Sequence, residues 1–164
     1  MAISTYSELK TAIADHLDRD DLTSQIDNFI DLAETRHKRD IRIREMLSRL
    51  AVTVDARYID APAGYLEGVS FRLLTDPVAL LSYVSPESIN SYRQETTGKP
   101  KFFTVHEQIE LDKAPDSSYS GEILYWKSLT ALSDDNTTNA LLTRAPDAYL
   151  YGALLASALY LLNR

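Results

Sequence analysis

The sequence has no cysteine, which excludes disulfide scaffolds, thiolate zinc sites and cysteine nucleophiles. Glycine and proline are sparse, five and six residues, and they are scattered rather than massed into a linker. A basic excess is missing as well. Seventeen Lys and Arg stand against 24 Asp and Glu, a net charge of −7, which argues against a protein that coats nucleic acid with its whole surface. The start, Met1-Ala2-Ile3-Ser4, has neither a basic flank nor an apolar run, so no signal peptide is expected. What is present is ordinary for a folded chain: 164 residues, 45% hydrophobic and 25% charged. A single domain of 1–164 is expected, with a core that needs no staples.

The charge is uneven along the chain. Residues 1–35 carry eight acids and two bases, and residues 36–49 carry six bases and two acids. Thr5-Tyr6-Ser7-Glu8 fits a capping box, in which hydroxyl and carboxylate each satisfy an orphan backbone donor. Leu9, Ile13 and Leu17 then fall on one helical face. After the polar stretch Asp18-Arg19-Asp20-Asp21, Thr23 or Ser24 can cap a second helix. Its apolar positions Ile26, Phe29, Ile30, Ala33, His37 and Ile41 share a sector, which predicts a helix reaching about Glu45. So short a connection predicts antiparallel packing of the pair.

The period then changes from helical to two-residue alternation. Leu50, Val52 and Val54 alternate with Ala51, Thr53 and Asp55 as in a half-buried strand. Strand-like runs follow at Arg57–Asp60, Val69–Leu74, Val78–Val84, Lys101–His106, Gln108–Asp112 and Glu122–Trp126, separated by turn formers. Ser85-Pro86 predicts one short helix with Ser85 as its cap. Ala145-Pro146-Asp147 opens a final helix, with proline in the first turn and a carboxylate near the positive pole. Residues 148–162 carry no charge, but that run is short of the roughly 20 residues that cross a bilayer. A helix apolar on all sides needs cover on all sides: the opening pair can supply one, and the β region or another chain the other. The expected class is therefore α+β. It comprises an antiparallel helical bundle, helical over 1–48 and 141–164, with a small antiparallel β-rich insertion over 49–132.

The motifs point away from catalysis. His106-Glu107-Gln108-Ile109-Glu110 lacks the second histidine of a helical zinc-protease motif and sits in alternating strand pattern. Thr97-Gly98-Lys99-Pro100 reads as a turn, because Arg93 stands where a phosphate loop needs glycine and Pro100 replaces its magnesium-binding hydroxyl. His16, His37 and His106 lie on different elements, and none adjoins a serine elbow. Asp18, Asp20 and Asp21, like Asp134 and Asp135, read as acids beside helix starts. Neither catalytic residues nor a cofactor or metal is expected, and the chain is read as no enzyme.

The stretch Arg36–Arg44 carries two readings. Lys38, Arg39 and Arg42 project opposite the apolar stripe and can face phosphates or an acidic partner. They can equally be a solvated helix end, opposing the negative pole and pairing with Glu34, Asp40 and Glu45. Arg44 projects toward the apolar face, where it would need a partner, and His37 reads as a core histidine. Ten tyrosines, among them Tyr149, Tyr151 and Tyr160 of the last helix, suit contact surfaces, since tyrosine buries area at low entropic cost.

The order of segments carries a resemblance. Thr5-Tyr6-Ser7-Glu8-Leu9 and an arginine-rich helix end are followed by Tyr58-Ile59-Asp60-Ala61-Pro62 and Tyr83-Val84-Ser85-Pro86-Glu87. Next come Thr97-Gly98-Lys99-Pro100-Lys101-Phe102-Phe103 and Leu111-Asp112-Lys113-Ala114-Pro115-Asp116, and the series closes with Ala145-Pro146-Asp147-Ala148-Tyr149. Over nearly the whole chain it resembles the head-to-tail adaptor (head completion, connector) proteins of tailed bacteriophages and gene transfer agents. The resemblance implies a structural virion protein made in the bacterial cytoplasm. It would be one subunit of a homo-oligomeric ring, typically of twelve copies, that joins the portal protein to tail or stopper proteins. DNA would pass through the ring without specific binding, and no membrane would be involved. Lys38, Arg39, Arg42, Tyr149, Tyr151 and Tyr160 would then be subunit or partner contacts. The alternative is a small nucleic-acid-binding module using Arg36–Arg44. Such adaptors commonly continue past the last helix into a portal-docking tail, whereas this sequence stops at Asn163-Arg164.

Overall fold

The computed structural model describes residues 3–162, apart from the side chain of Asp20. Met1-Ala2, read above for a signal, and the closing Asn163-Arg164 lie outside the described residues, as does the Asp20 carboxylate. The chain forms two compact units, one built from the segments up to Glu45 and from Ser128 onward, the other from Met46–Lys127.

In the first unit, α1 (Tyr6–Leu17) opens with the expected capping box: the Thr5 hydroxyl accepts the Glu8 N–H and the Glu8 carboxylate accepts the Thr5 N–H. It ends at Asp18, whose left-handed backbone (φ 47°) lets its N–H return to the Ala14 carbonyl. A 3-10 turn, Asp20–Gln25, leads into α2 (Ile26–Asp40), so neither Thr23 nor Ser24 caps that helix. The helix also stops five residues short of Glu45. Ile41 is extended, and Arg42 folds back so that Nη1 donates to the Lys38 and Ile41 carbonyls at 2.9 Å each. A guanidinium spent on orphan carbonyls is an effective stop. Arg44, beyond that stop, is exposed rather than aimed at the apolar face. After an irregular stretch come α4 (Ala140–Arg144), capped by the Asn139 side chain on the Leu142 N–H, and α5 (Pro146–Leu162). Leu9, Ile13, Phe29, Ile30, Leu142, Tyr149 and Ala153 form the heart of this unit's core.

The second unit overturns the expected fold class. The β region is not a small antiparallel insertion in a helical bundle. Seven strands, β1 (Leu47–Val54), β2 (Tyr58–Asp60), β3 (Tyr65–Leu73), β4 (Ala79–Tyr83), β5 (Phe102–Val105), β6 (Gln108–Leu111) and β7 (Tyr119–Lys127), join in one sheet. Their order is β1-β7-β3-β4-β5-β6-β2, and the sheet curls into a nearly closed barrel whose end strands β1 and β2 border one hollow. The chain as a whole is this β-rich barrel with five helices. Each expected run overlaps a strand, although β1, β3 and β7 begin three or four residues earlier than their runs. Their sum is not local, because a strand's partner is chosen across the sequence and periodicity says nothing of it.

The pair β4–β5 is parallel, with Ser82 opposite Phe102, so the connection between them must cross over. That crossover holds α3 (Ile89–Tyr92), which begins after Ser88 rather than at Ser85. Strand β7 runs between β1 and β3, and Gly121 at its centre is demanded by packing. A Cβ there would lie 3.0–3.2 Å from Val54, Phe71 and Val52. Phe71, Leu73, Ile109, Leu111 and Ile123 are fully buried in the barrel core. On its outside Glu122 accepts from Arg72 at 2.6 Å, a cross-strand ion pair in register.

Candidate functional site

The site is built on α5, whose sequence PDAYLYGALLASALYLL holds one charge and far more apolar surface than one face can bury. Tyr149, Leu150, Ala153 and Ser157 turn inward. Gly152 lets α2 approach closely, since a Cβ would stand 3.1 Å from Ala33 and 3.2 Å from the His37 ring. Side chains on the remaining arc stay in water: Tyr151 is 64% exposed, Leu155 46% and Leu159 56%. On α2, Leu32 is 59% exposed beside them. Leu32, Leu155 and Leu159, together with Ala156 and Tyr160, border a groove of about 350 Å³ between the two helices, which Arg36 and Arg39 also line.

A buried polar latch ties α2 and α5 to the 128–139 stretch. Glu34, 5% exposed, accepts the Leu132 N–H at 2.8 Å and the Tyr149 hydroxyl at 3.1 Å, and that hydroxyl accepts from Asn139 at 2.7 Å. Burial pushes the Glu34 carboxyl above its ordinary range, and the two hydrogen bonds oppose that shift. The His37 ring meets Tyr149 edge to face at 5.0 Å. Burial holds its pKa below the usual imidazole value, opposed by a hydrogen bond with the Ala148 backbone, and Nδ1 has no partner. These groups join α2, α4, α5 and the 128–139 stretch.

The sequence-predicted contact residues do not share one face. Arg39 stands at the groove, Lys38 is exposed on another flank of α2 near Glu34, and half-buried Arg42 is occupied at the helix end. Tyr149 belongs to the core, Tyr151 faces solvent, and Tyr160 is half-buried, edge-on to Phe29 at 5.6 Å. Arg36 pairs with Asp40 at 3.6 Å, and Glu45 pairs with Arg144 at 2.6 Å instead of with a cation of its own helix. The sequence does not single out Leu32, Leu155 or Leu159, and it marks Arg36 only as part of the basic stretch Arg36–Arg44. The readable signal was Leu32, an apolar residue off the Ile26/Phe29/Ala33 stripe.

Elsewhere, His106 and Glu110 do meet, at 3.3 Å, but across the β5–β6 turn rather than along a helix. Among the described residues no group of three or more His, Cys, Asp or Glu could hold a metal ion, and no helix is long and apolar enough to cross a membrane.

An apolar groove left in water and lined by cations is a surface suited to a binding partner. The family follows from the sequence: the model of a family described as SU10 adaptor protein matches residues 4–163. The chain belongs to this family of bacteriophage head-to-tail adaptors, which gives it a structural role in the virion, at the head–tail connection, among other virion proteins. No curated protein matches the chain.

Proposed function

We propose that the protein is one subunit of an adaptor ring, typically of twelve copies, that bridges the capsid portal to tail or stopper proteins around the DNA channel. The two compact units work as one adaptor domain. The observation that carries this reading, beside the family, is the uncovered face of α5 with Leu32. Burying apolar area is worth roughly 25 cal/mol per Å², so a chain that leaves such a face open gains by setting a neighbour against it. The net charge of −7 suits a ring through which DNA slides, because few cations are available to trap phosphates by counterion release. The spread of Lys38, Arg39 and Arg42 over separate flanks favours protein partners over a single phosphate-facing patch on Arg36–Arg44.

Native mass spectrometry of the full chain alone, and then mixed with its portal ring, tests the proposal. A closed oligomer whose symmetry matches the portal, formed alone or on the portal, is expected. A chain that stays monomeric in both samples would overturn it.

A further inference from the structure

Building on the ring reading, we propose that the groove between α2 and α5 receives the acidic flank of a second copy of this chain. The subunit contact is then heterologous: groove of one copy, acid-bearing edge of the next.

The two flanks of α2 differ in charge: Arg36 and Arg39 mark the groove side, with Arg36 paired to Asp40, and Asp27 and Asp31 mark the other, with Lys38 beyond them. Leu32, Arg36 and Arg39 succeed one another at helical spacing along the groove side. Asp27 and Asp31 lie on the other side, and α1 is docked there through Tyr6 Oη to Asp27 at 3.0 Å and Lys10 Nζ to Asp27 at 3.7 Å. On α1 itself Asp15 is exposed, as is Asp31 on α2. Each copy therefore presents an apolar groove bearing Arg36 and Arg39 on one side of α2 and the exposed Asp31 on the opposite side. Two grooves placed face to face would set Arg36 and Arg39 against their own kind, and like charges across an interface oppose association. An isologous pair is disfavoured on that ground. A heterologous contact instead repeats, and it either closes into a ring or grows as a filament.

The test uses the full chain in sedimentation velocity, with and without the portal ring, and circular dichroism to confirm that each variant is folded. R36E/R39E and D15K/D31K are each expected to weaken self-association by about tenfold or more. Mixing the two variants, or combining all four substitutions in one chain, restores opposite signs at every contact and is expected to recover assembly. Unimpaired assembly of D15K/D31K, or no recovery in the mixture and in the combined variant, would overturn the inference. So would loss of portal binding with self-association intact in R36E/R39E, which would assign the groove to the portal. Wild-type rings unaffected by any of these changes would sink the groove pairing and leave the adaptor reading standing. A wild-type chain that neither self-associates nor binds the portal would sink both.

Discussion

The two compact units solve the same problem differently. The barrel is drawn from one continuous stretch, Met46–Lys127, around an apolar cluster of Phe71, Leu73, Leu81, Ile109, Leu111 and Ile123, and it too buries a carboxylate: Asp112, 2% exposed, accepts the Lys101 and Phe102 N–H groups. The helical unit is assembled from two stretches separated by that whole barrel, and it fastens them with polar groups. Glu34 holds the Leu132 N–H and the Tyr149 hydroxyl, Lys10 reaches Asp134 at 3.0 Å, and Arg144 meets Glu45. The barrel strands fix their register by backbone pairing, as between Leu47 and Trp126, whereas the two distant segments of the helical unit are fixed by side-chain partners. A buried carboxylate is an expensive fastener; Asp112 ties neighbouring backbone within the barrel, whereas Glu34 ties segments 98 and 115 residues away in the chain.

Substitutions separate the two strategies, and the largest effect belongs to the barrel. Phe71→Ala removes a fully buried ring that touches Phe103 edge to face and is expected to cost about 3–5 kcal/mol, read as a shift in the urea midpoint at unchanged slope. Glu34→Ala strands the Leu132 N–H and the Tyr149 hydroxyl, at about 1–3 kcal/mol. Its mark is accelerated amide exchange concentrated in 128–139. Glu34→Gln keeps an acceptor without the desolvated charge and should fall close to wild type; if it is as damaging as alanine, the charge itself matters and the latch is misread. Gly152→Val must push α5 from Ala33 and His37 and should cost about 1–3 kcal/mol, with melting temperature as the readout.

The smallest expected effect is on pH dependence. His37 has its pKa depressed by burial, so the folded chain binds a proton less readily than the unfolded one. Stability is lost as pH falls below the ordinary imidazole value of about 6.5. Glu34 has its pKa raised by burial, so its contribution runs the other way, being present below the ordinary carboxyl value and lost as pH rises through the raised one. His37→Phe should flatten the loss on the acid side of 6.5, and Glu34→Gln should flatten the loss on rising pH. Melting curves between pH 4 and 8 would show both, and unchanged slopes would remove these groups from the account.

Much of this is legible in the sequence. The Thr5/Glu8 box, the start of α5 at Pro146 and all seven strand-like runs stand close to where the residues place them. What failed was non-local. The closing of seven strands into one sheet, with a parallel pair among them, depends on pairings that no window of residues contains. The stop of α2 at Asp40 depends on Arg42 turning back onto the Lys38 carbonyl, while the pattern of Ile41 continued the helix on paper. Tyr149 looked like a contact residue, and its burial is set by Glu34 and Asn139, which are distant in sequence. For the site, the excess of apolar residues on α5 was readable. Which arc stays open was not, because that depends on where α2 lies.

The central claim is that the exposed arc of α5 is an interface. Hydroxyl-radical footprinting tests it most directly, comparing Tyr151, Leu155 and Leu159 in the dilute chain and in the assembled head–tail structure. The account predicts strong protection of all three on assembly, with Leu32 protected alongside. Equal oxidation of these side chains in both samples would contradict it.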